Sequence, residues 1–278
     1  MLALFLIAAL ATPAPAPVPD ASPPPTAKRV LGLIRAKFRS HRPPPPYEIY
    51  TIQRKQNTVQ GYPDYANSYT DKVWVRTLDD AALQRRVYRS INRGQMSFNR
   101  PAFNEDRDPG PPSADVFQPA PVHSRPVTDV PTPEPVGTTL PLLGTVQAIG
   151  EFDYRITAMA TEGDLVHLSI VPTRDPDRNR LREIYADKTS YELKRLVATD
   201  KLFVDGTHDI YGVTFDITVG MLDGTPIVTD IRGTVGDGYA DDGQVVTYAF
   251  RNISFPATLP AWFFDAKAYA SHGDDAPI

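Results

Sequence analysis

The sequence predicts a mainly β chain with a few helices (α+β). The expected architecture is a single curved antiparallel sheet, closing partly over its own apolar face and packed on an N-terminal helix. Three observations carry this expectation. Between Phe152 and Phe250, apolar and polar residues alternate in runs separated by short polar turns. Such alternation leaves one sheet face buried and the other wet, as in antiparallel sheets. Ahead of that ladder, Ala27, Val30, Leu31, Ile34 and Phe38 recur at spacings of three and four, on one side of a helix. Behind it, Phe255 to Phe264 is apolar, aromatic and broken by proline, suited to folding back over a sheet opening or edge.

Taken in order, Met1 to Ala11 is an apolar run too short to span a membrane, which takes about 20 residues. Ala14 and Ala16 follow as an Ala-x-Ala pair, so residues 1–16 read as a signal peptide. Residues 17–25 form a Pro-rich spacer. Thr26 is an N-cap for the helix, and Pro43 to Pro46 stops it. The basic residues on the helix leave two readings open: packing on the domain, or lying on an anionic membrane.

Tyr47 to Arg54, Lys72 to Leu78 and Ala82 to Tyr88 are the first strands. From about 92 to 141 periodicity is lost and prolines cluster. This stretch is expected to be a disordered insertion in one domain spanning 26–270, with 271–278 a frayed tail. The ladder then runs through Phe152 to Ile156, Leu165 to Pro172, Leu181 to Asp187, Tyr191 to Ala198, Asp209 to Val219, Ile227 to Ile231 and Val246 to Phe250. The Asp223-Gly224 pair marks one hairpin.

Composition bounds the function. The 278 residues carry a net charge of −4, which argues against nucleic acid as a partner. There is no cysteine, so disulfides, thiol nucleophiles and cysteine lipidation are excluded. No G-x-S-x-G, P-loop or G-x-G-x-x-G occurs. No enzyme, cofactor or metal is expected. Asp175, Asp177 and Asn179 start like a calcium loop, but Arg180 replaces its glycine and Ala186 its final glutamate, leaving a charged hairpin tip. The Asp237 to Gly243 turn is explained equally by polarity. The five histidines are far apart in sequence.

Two stretches, Asn179-Arg-Leu-Arg-Glu-Ile-Tyr-Ala-Asp187 and Thr189-Ser-Tyr-Glu-Leu-Lys-Arg195, follow the helix and the Tyr47-Glu-Ile-Tyr-Thr-Ile opening strand. Together they resemble the strand ending in Asp, turn and return strand of outer-membrane lipoprotein-sorting (LolA-like) proteins, over residues 27–90 and 145–265. The resemblance implies an unclosed β-barrel wrapped around helices, with an apolar cavity for acyl chains. Related half-barrels include envelope-stress regulators that sense lipoproteins.

The expected function is therefore that of an exported, non-catalytic protein, periplasmic or extracellular after cleavage. It would bind lipid, or the acyl chain of a lipoprotein, and engage an envelope protein as a further partner. The mature chain would hold no integral membrane span. Cavity-lining candidates are Tyr50, Trp74, Tyr154, Leu168, Phe215, Ile217, Tyr248, Phe250 and Trp262. Ordinary core packing explains these residues as well, and an envelope structural or protein-interaction module with a packed core is the alternative.

Overall fold

A computed structural model describes residues 25–56, 68–79, 81–91, 94–96, 101–103, 110–113, 154–173, 180–203, 210–235 and 245–272. Helix α1 is Ala27–Arg39, with the Thr26 side chain accepting from Arg29 N at 3.3 Å as its N-cap. Among the described residues twelve strands follow: β1 (Tyr47–Gln56), β2 (Ser68–Arg76), β3 (Ala81–Ile91), β4 (Gly94–Met96), β5 (Pro101–Phe103), β6 (Tyr154–Glu162), β7 (Leu165–Pro172), β8 (Leu181–Asp187), β9 (Leu193–Phe203), β10 (Ile210–Leu222), β11 (Thr225–Val235) and β12 (Val245–Ser254). A 3-10 turn, Ala261–Phe264, and a short helix α2, Ala266–Ser271, are the last described elements.

All twelve strands form one sheet in the order β4-β3-β2-β1-β12-β11-β10-β9-β8-β7-β6, with β5 added to β3. Every pairing is antiparallel. Neighbours in space are neighbours in sequence except where β5 joins β3 and at the β1–β12 junction, where the first strand meets the last. Among the described residues the sheet ends at β6 on one side and at β4 and β5 on the other, which do not pair with β6, so the barrel is unclosed. The expected fold class is the observed one. The short strands β4 and β5 lie inside the stretch expected to be an insertion. Their ladders on β3 give polar, proline-containing segments a strand geometry that side-chain pattern does not announce.

Local chemistry sets the turns. Asp223 and Gly224 have φ of 51° and 82°, the two positive values of a type I′ hairpin between β10 and β11. At the β8–β9 turn, Asp187 Oδ1 accepts from Thr189 N at 3.0 Å, Ser190 N at 2.7 Å and Ser190 Oγ at 2.9 Å. This lets Tyr191 take a φ of 59°, with its N–H on Asp187 O at 2.9 Å. The strand ends in Asp because that carboxylate builds the turn.

Curvature follows from size and from bulges. Val30, Leu31, Ile34 and Phe38 of α1 share one contiguous core with Val73 and Val75 of β2, Phe215 and Ile217 of β10 and Tyr154 of β6. In a flat sheet β2 and β6 would stand roughly 38 Å apart, eight spacings of about 4.8 Å. The 13-residue helix is only about 20 Å long. The sheet therefore bends around the helix, and the face carrying α1 is the concave one. Register shifts in five strand pairs supply the bend, since each bulge increases local twist.

A second core lies on the opposite face. Trp74 and Leu83 pack there against Phe263 and Tyr269 of the C-terminal segment, with Phe103, Leu259, Trp262 and Phe264 around them. Arg76 caps this end, held by Asp79 at 2.8 and 2.6 Å and lying 4.8 Å over the Phe264 ring. The tail covers a sheet face rather than the opening or edge expected of it.

Two tests bear on the fold. Gly233 of β11 sits between Phe215 and Val246, and a Cβ there would lie 2.6 Å from the Phe215 ring and 2.7 Å from Val246. Gly233→Ala should cost about 1–3 kcal/mol by overpacking, measured by urea unfolding; an unchanged midpoint would show that Phe215 does not need the gap. Asp187 is held below the usual carboxylate range, first by the Ser190 N–H and then by the Ser190 hydroxyl. A lowered native pKa adds stability above the unfolded value, and that stability is lost as pH falls through the native value. Asp187→Ala should therefore lower Tm at neutral pH, with the gap to the parent narrowing as pH falls below about 4. A gap constant with pH would contradict it.

Candidate functional site

The concave face is built by strand parity. On β1, Tyr47, Ile49, Thr51 and Gln53 point outward, while Glu48, Tyr50, Ile52 and Arg54 are buried on the inner side. Val213, Phe215, Ile217 and Val219 of β10 share that inner face, with Val246, Tyr248 and Phe250 of β12 and Leu168 and Ile170 of β7. Tyr50 and Phe250 meet at 5.7 Å between ring centroids, tilted by 58°. The Tyr154 hydroxyl accepts from Leu181 N at 3.4 Å, so its ring stays inside while its oxygen is satisfied.

Seven of the nine lining candidates are brought together: Tyr50, Tyr154, Leu168, Phe215, Ile217, Tyr248 and Phe250 all lie in the α1-bearing core. Trp74 and Trp262 are not among them. Val73 and Val75 face inward, so Trp74 between them must face out, where it meets Phe263 edge-on at 6.2 Å. Trp262 follows Phe263 into that outer core and stacks on His272 at 4.6 Å.

Polar groups stand at both ends of the inner β1 row, and these the aromatic pattern did not reveal. At one end Glu48, fully buried, accepts from Ser113 Oγ at 2.6 Å. Ser113 belongs to residues 110–113, which reach β11 through Val228 N to Pro112 O at 2.7 Å and Tyr50 through its hydroxyl to Gly110 O at 3.5 Å. At the other end Arg54, 7 % exposed, donates from Nε to the Tyr248 hydroxyl at 3.4 Å. Its guanidinium lies 5.9 Å from the ring centroids of both Tyr69 and Tyr248. Asp71, fully buried, accepts from Gln84 nearby. Six residues of strand, roughly 20 Å, separate Glu48 from Arg54. The face is thus an apolar lane with buried polar side chains at both ends, Glu48 at one and Arg54 beside Asp71 at the other.

The described histidines do not converge. His41 stands 3.9 Å from Glu192, and His272 lies in the outer core. His167, on the outer face, bonds Glu162 at 2.8 Å and stacks on Tyr185 at 4.2 Å. Burial and then the bond to Glu183 push the Tyr185 phenol up to about 12. Among the described residues no group of three His, Asp or Glu side chains could hold a metal ion. The stretches around Asp175 and Asp237, and residues 1–24, lie outside the described residues. No described helix is long and apolar enough to cross a membrane.

No family model matches the chain, and no curated protein matches it. Among solved structures it is similar to a LolA superfamily protein from Nitrosomonas europaea, at 10% identity and a TM-score of 0.42, covering 88% of this chain and 99% of that one. It is similar also to a DUF1329 family protein from Desulfovibrio piger, at 10% identity and a TM-score of 0.40, covering 87% and 98%. The lipoprotein LppX of Mycobacterium tuberculosis matches at 10% identity and a TM-score of 0.28, covering 84% and 100%.

Proposed function

We propose that this chain is an exported, non-catalytic protein that takes up a lipid, or the acyl chain of a lipidated partner, on its concave face. The observation that carries the reading is how that face is covered. A continuous apolar surface across an unclosed sheet is roofed by one helix, α1, through four apolar side chains. The helix adds no strand to the ladder, and Pro43 to Pro46 separates it from β1. It can leave without breaking a strand pairing. The exposed lane would then receive methylenes at about 0.8 kcal/mol each. The family resemblance of the β8–β9 hairpin and the Ala-x-Ala at residues 14–16 support the lipid and the export respectively.

A second reading has its own observation. The seven inner candidates are between 0 and 3 % exposed with α1 in place, the packing expected of an interaction module whose core takes no ligand.

One experiment separates them. Leu31→Ala with Ile34→Ala removes two buried anchors of α1, each worth about 2–5 kcal/mol where α1 is docked. If α1 and an acyl chain compete for one face, loosening α1 should tighten binding of a fluorescent fatty acid severalfold. Native mass spectrometry of the parent gently extracted from the envelope should retain a lipid. A variant that is less stable yet binds no acyl probe, together with a lipid-free parent, would leave the packed module as the reading.

A further inference from the structure

The outer face of the sheet holds a groove of about 580 Å³ that the concave-face reading does not use. It is lined by Gln53 and Lys55 of β1, Thr247 and Arg251 of β12, Asp230 and Arg232 of β11, Asp216 and Thr218 of β10, and Arg195 of β9. Four cations and two carboxylates therefore face one space. The carboxylates are matched: Arg195 Nε lies 2.9 Å from Asp216, and Arg251 lies 2.7 Å from Asp230. Lys55 and Arg232 are exposed, and Arg232 stands directly opposite Asp216, whose carboxylate is engaged by Arg195.

Register places these two cations together. Arg232 is directly opposite Thr247 on one side, and Lys55 is opposite Thr247 on the other. Lys55, Thr247 and Arg232 therefore form one cross-strand row. The outer cations stand two strand spacings apart, roughly 9.6 Å, within joint reach of two long side chains. Thr247 lies between them and Gln53, Ala249 and Thr218 lie nearby, while Asp216, directly opposite Arg232 on β10, is held by Arg195 and Asp230 by Arg251. A cation at each end, a hydroxyl at the centre and an open floor fit a tetrahedral oxyanion with three or more acceptor oxygens. A planar carboxylate, with two, can bridge only part of the row.

We infer that this groove is a binding site for a phosphate group, held between Lys55 and Arg232 over Thr247. The groove exceeds a bare phosphate, so the group would carry an alcohol or sugar resting on Thr218, Ala249 and Gln53. A small phosphoester and the headgroup of an anionic lipid share this chemistry. The site faces away from the concave lane, and it stands or falls independently of lipid uptake there.

The test uses the full chain and the double variant Lys55→Gln, Arg232→Gln. Inorganic phosphate is titrated at constant ionic strength against chloride while the backbone amides of Thr218, Arg232 and Thr247 are followed by NMR. Sedimentation with phosphatidylglycerol vesicles, against phosphatidylcholine vesicles, forms the second arm. Saturable shifts at those amides, weakened at least about tenfold in the variant by loss of two charge-assisted contacts, support a site that accepts free phosphate. Binding confined to phosphatidylglycerol vesicles, and lost in the variant, supports the same site with a lipid headgroup as its source. Both side chains are exposed, so the variant should keep the parent's Tm and its acyl-probe binding. Absence of binding in both arms overturns the inference, as does binding that the variant retains.

Discussion

The pairing of β1 with β12 is the contact on which the rest of this structure depends. It runs from Ile49 opposite Ser254 to Gln56 opposite Val246, joining the first strand to the last. Without it the chain would hold β1 to β5 as one small sheet and β6 to β12 as another. With it, Tyr50, Ile52 and Arg54 stand beside Tyr248 and Phe250, and a single apolar face extends from β2 to β6. The same pairing, seen from outside, sets Lys55 beside Thr247. Both faces of the molecule take their chemistry from one ladder between residues nearly two hundred positions apart in the chain.

That distance explains what the sequence discloses and what it withholds. Helix α1, β7 and β8 are found at the bounds their residues predict, because each is fixed by a local signal. The signals are the Thr26 cap and the 3–4 spacing, the alternation from Leu165, and Asp187 closing its own turn. Boundaries drift where the signal is non-local. β2 was expected from Lys72 to Leu78 but runs Ser68–Arg76. Its polar first residues are in the ladder because β1 and β3 flank them on both sides. Leu78 falls out because Asp79 draws Arg76 into a turn, and Leu78 is left 90% exposed.

The candidate site was legible in its apolar half and obscure in its polar half. Aromatic content pointed to Tyr50, Phe215, Tyr248 and Phe250, and also to Trp74 and Trp262, because composition does not say which face a ring takes. Parity does: Val73 and Val75 bracket Trp74, and one face cannot hold all three. Parity would also have found Glu48 and Arg54, which share the even positions of Tyr50 and Ile52. Gly233 carries no such signal. Its role depends on Phe215 and Val246 lying across it from two other strands, a fact of register alone.

The packed interior and a binding interior then differ by the state of one helix. At 13 residues α1 lies at the length where an isolated helix is marginal in water. Its hydrogen-bonded form exists because Val30, Leu31, Ile34 and Phe38 find the concave face, while its end is tied by Arg42 N to Gly224 O at 3.0 Å and its backbone continues into prolines. Anything that occupies the face competes with docking and with helix formation together, since the two are one equilibrium. A rigid lid would add its full docking energy to the cost of opening. A lid that melts when displaced recovers chain entropy of about 1–2 kcal/mol per freed residue, which offsets part of that cost. The feature that makes the interior look finished, a close-fitting amphipathic helix, is therefore the one that can be exchanged for a chain of methylenes.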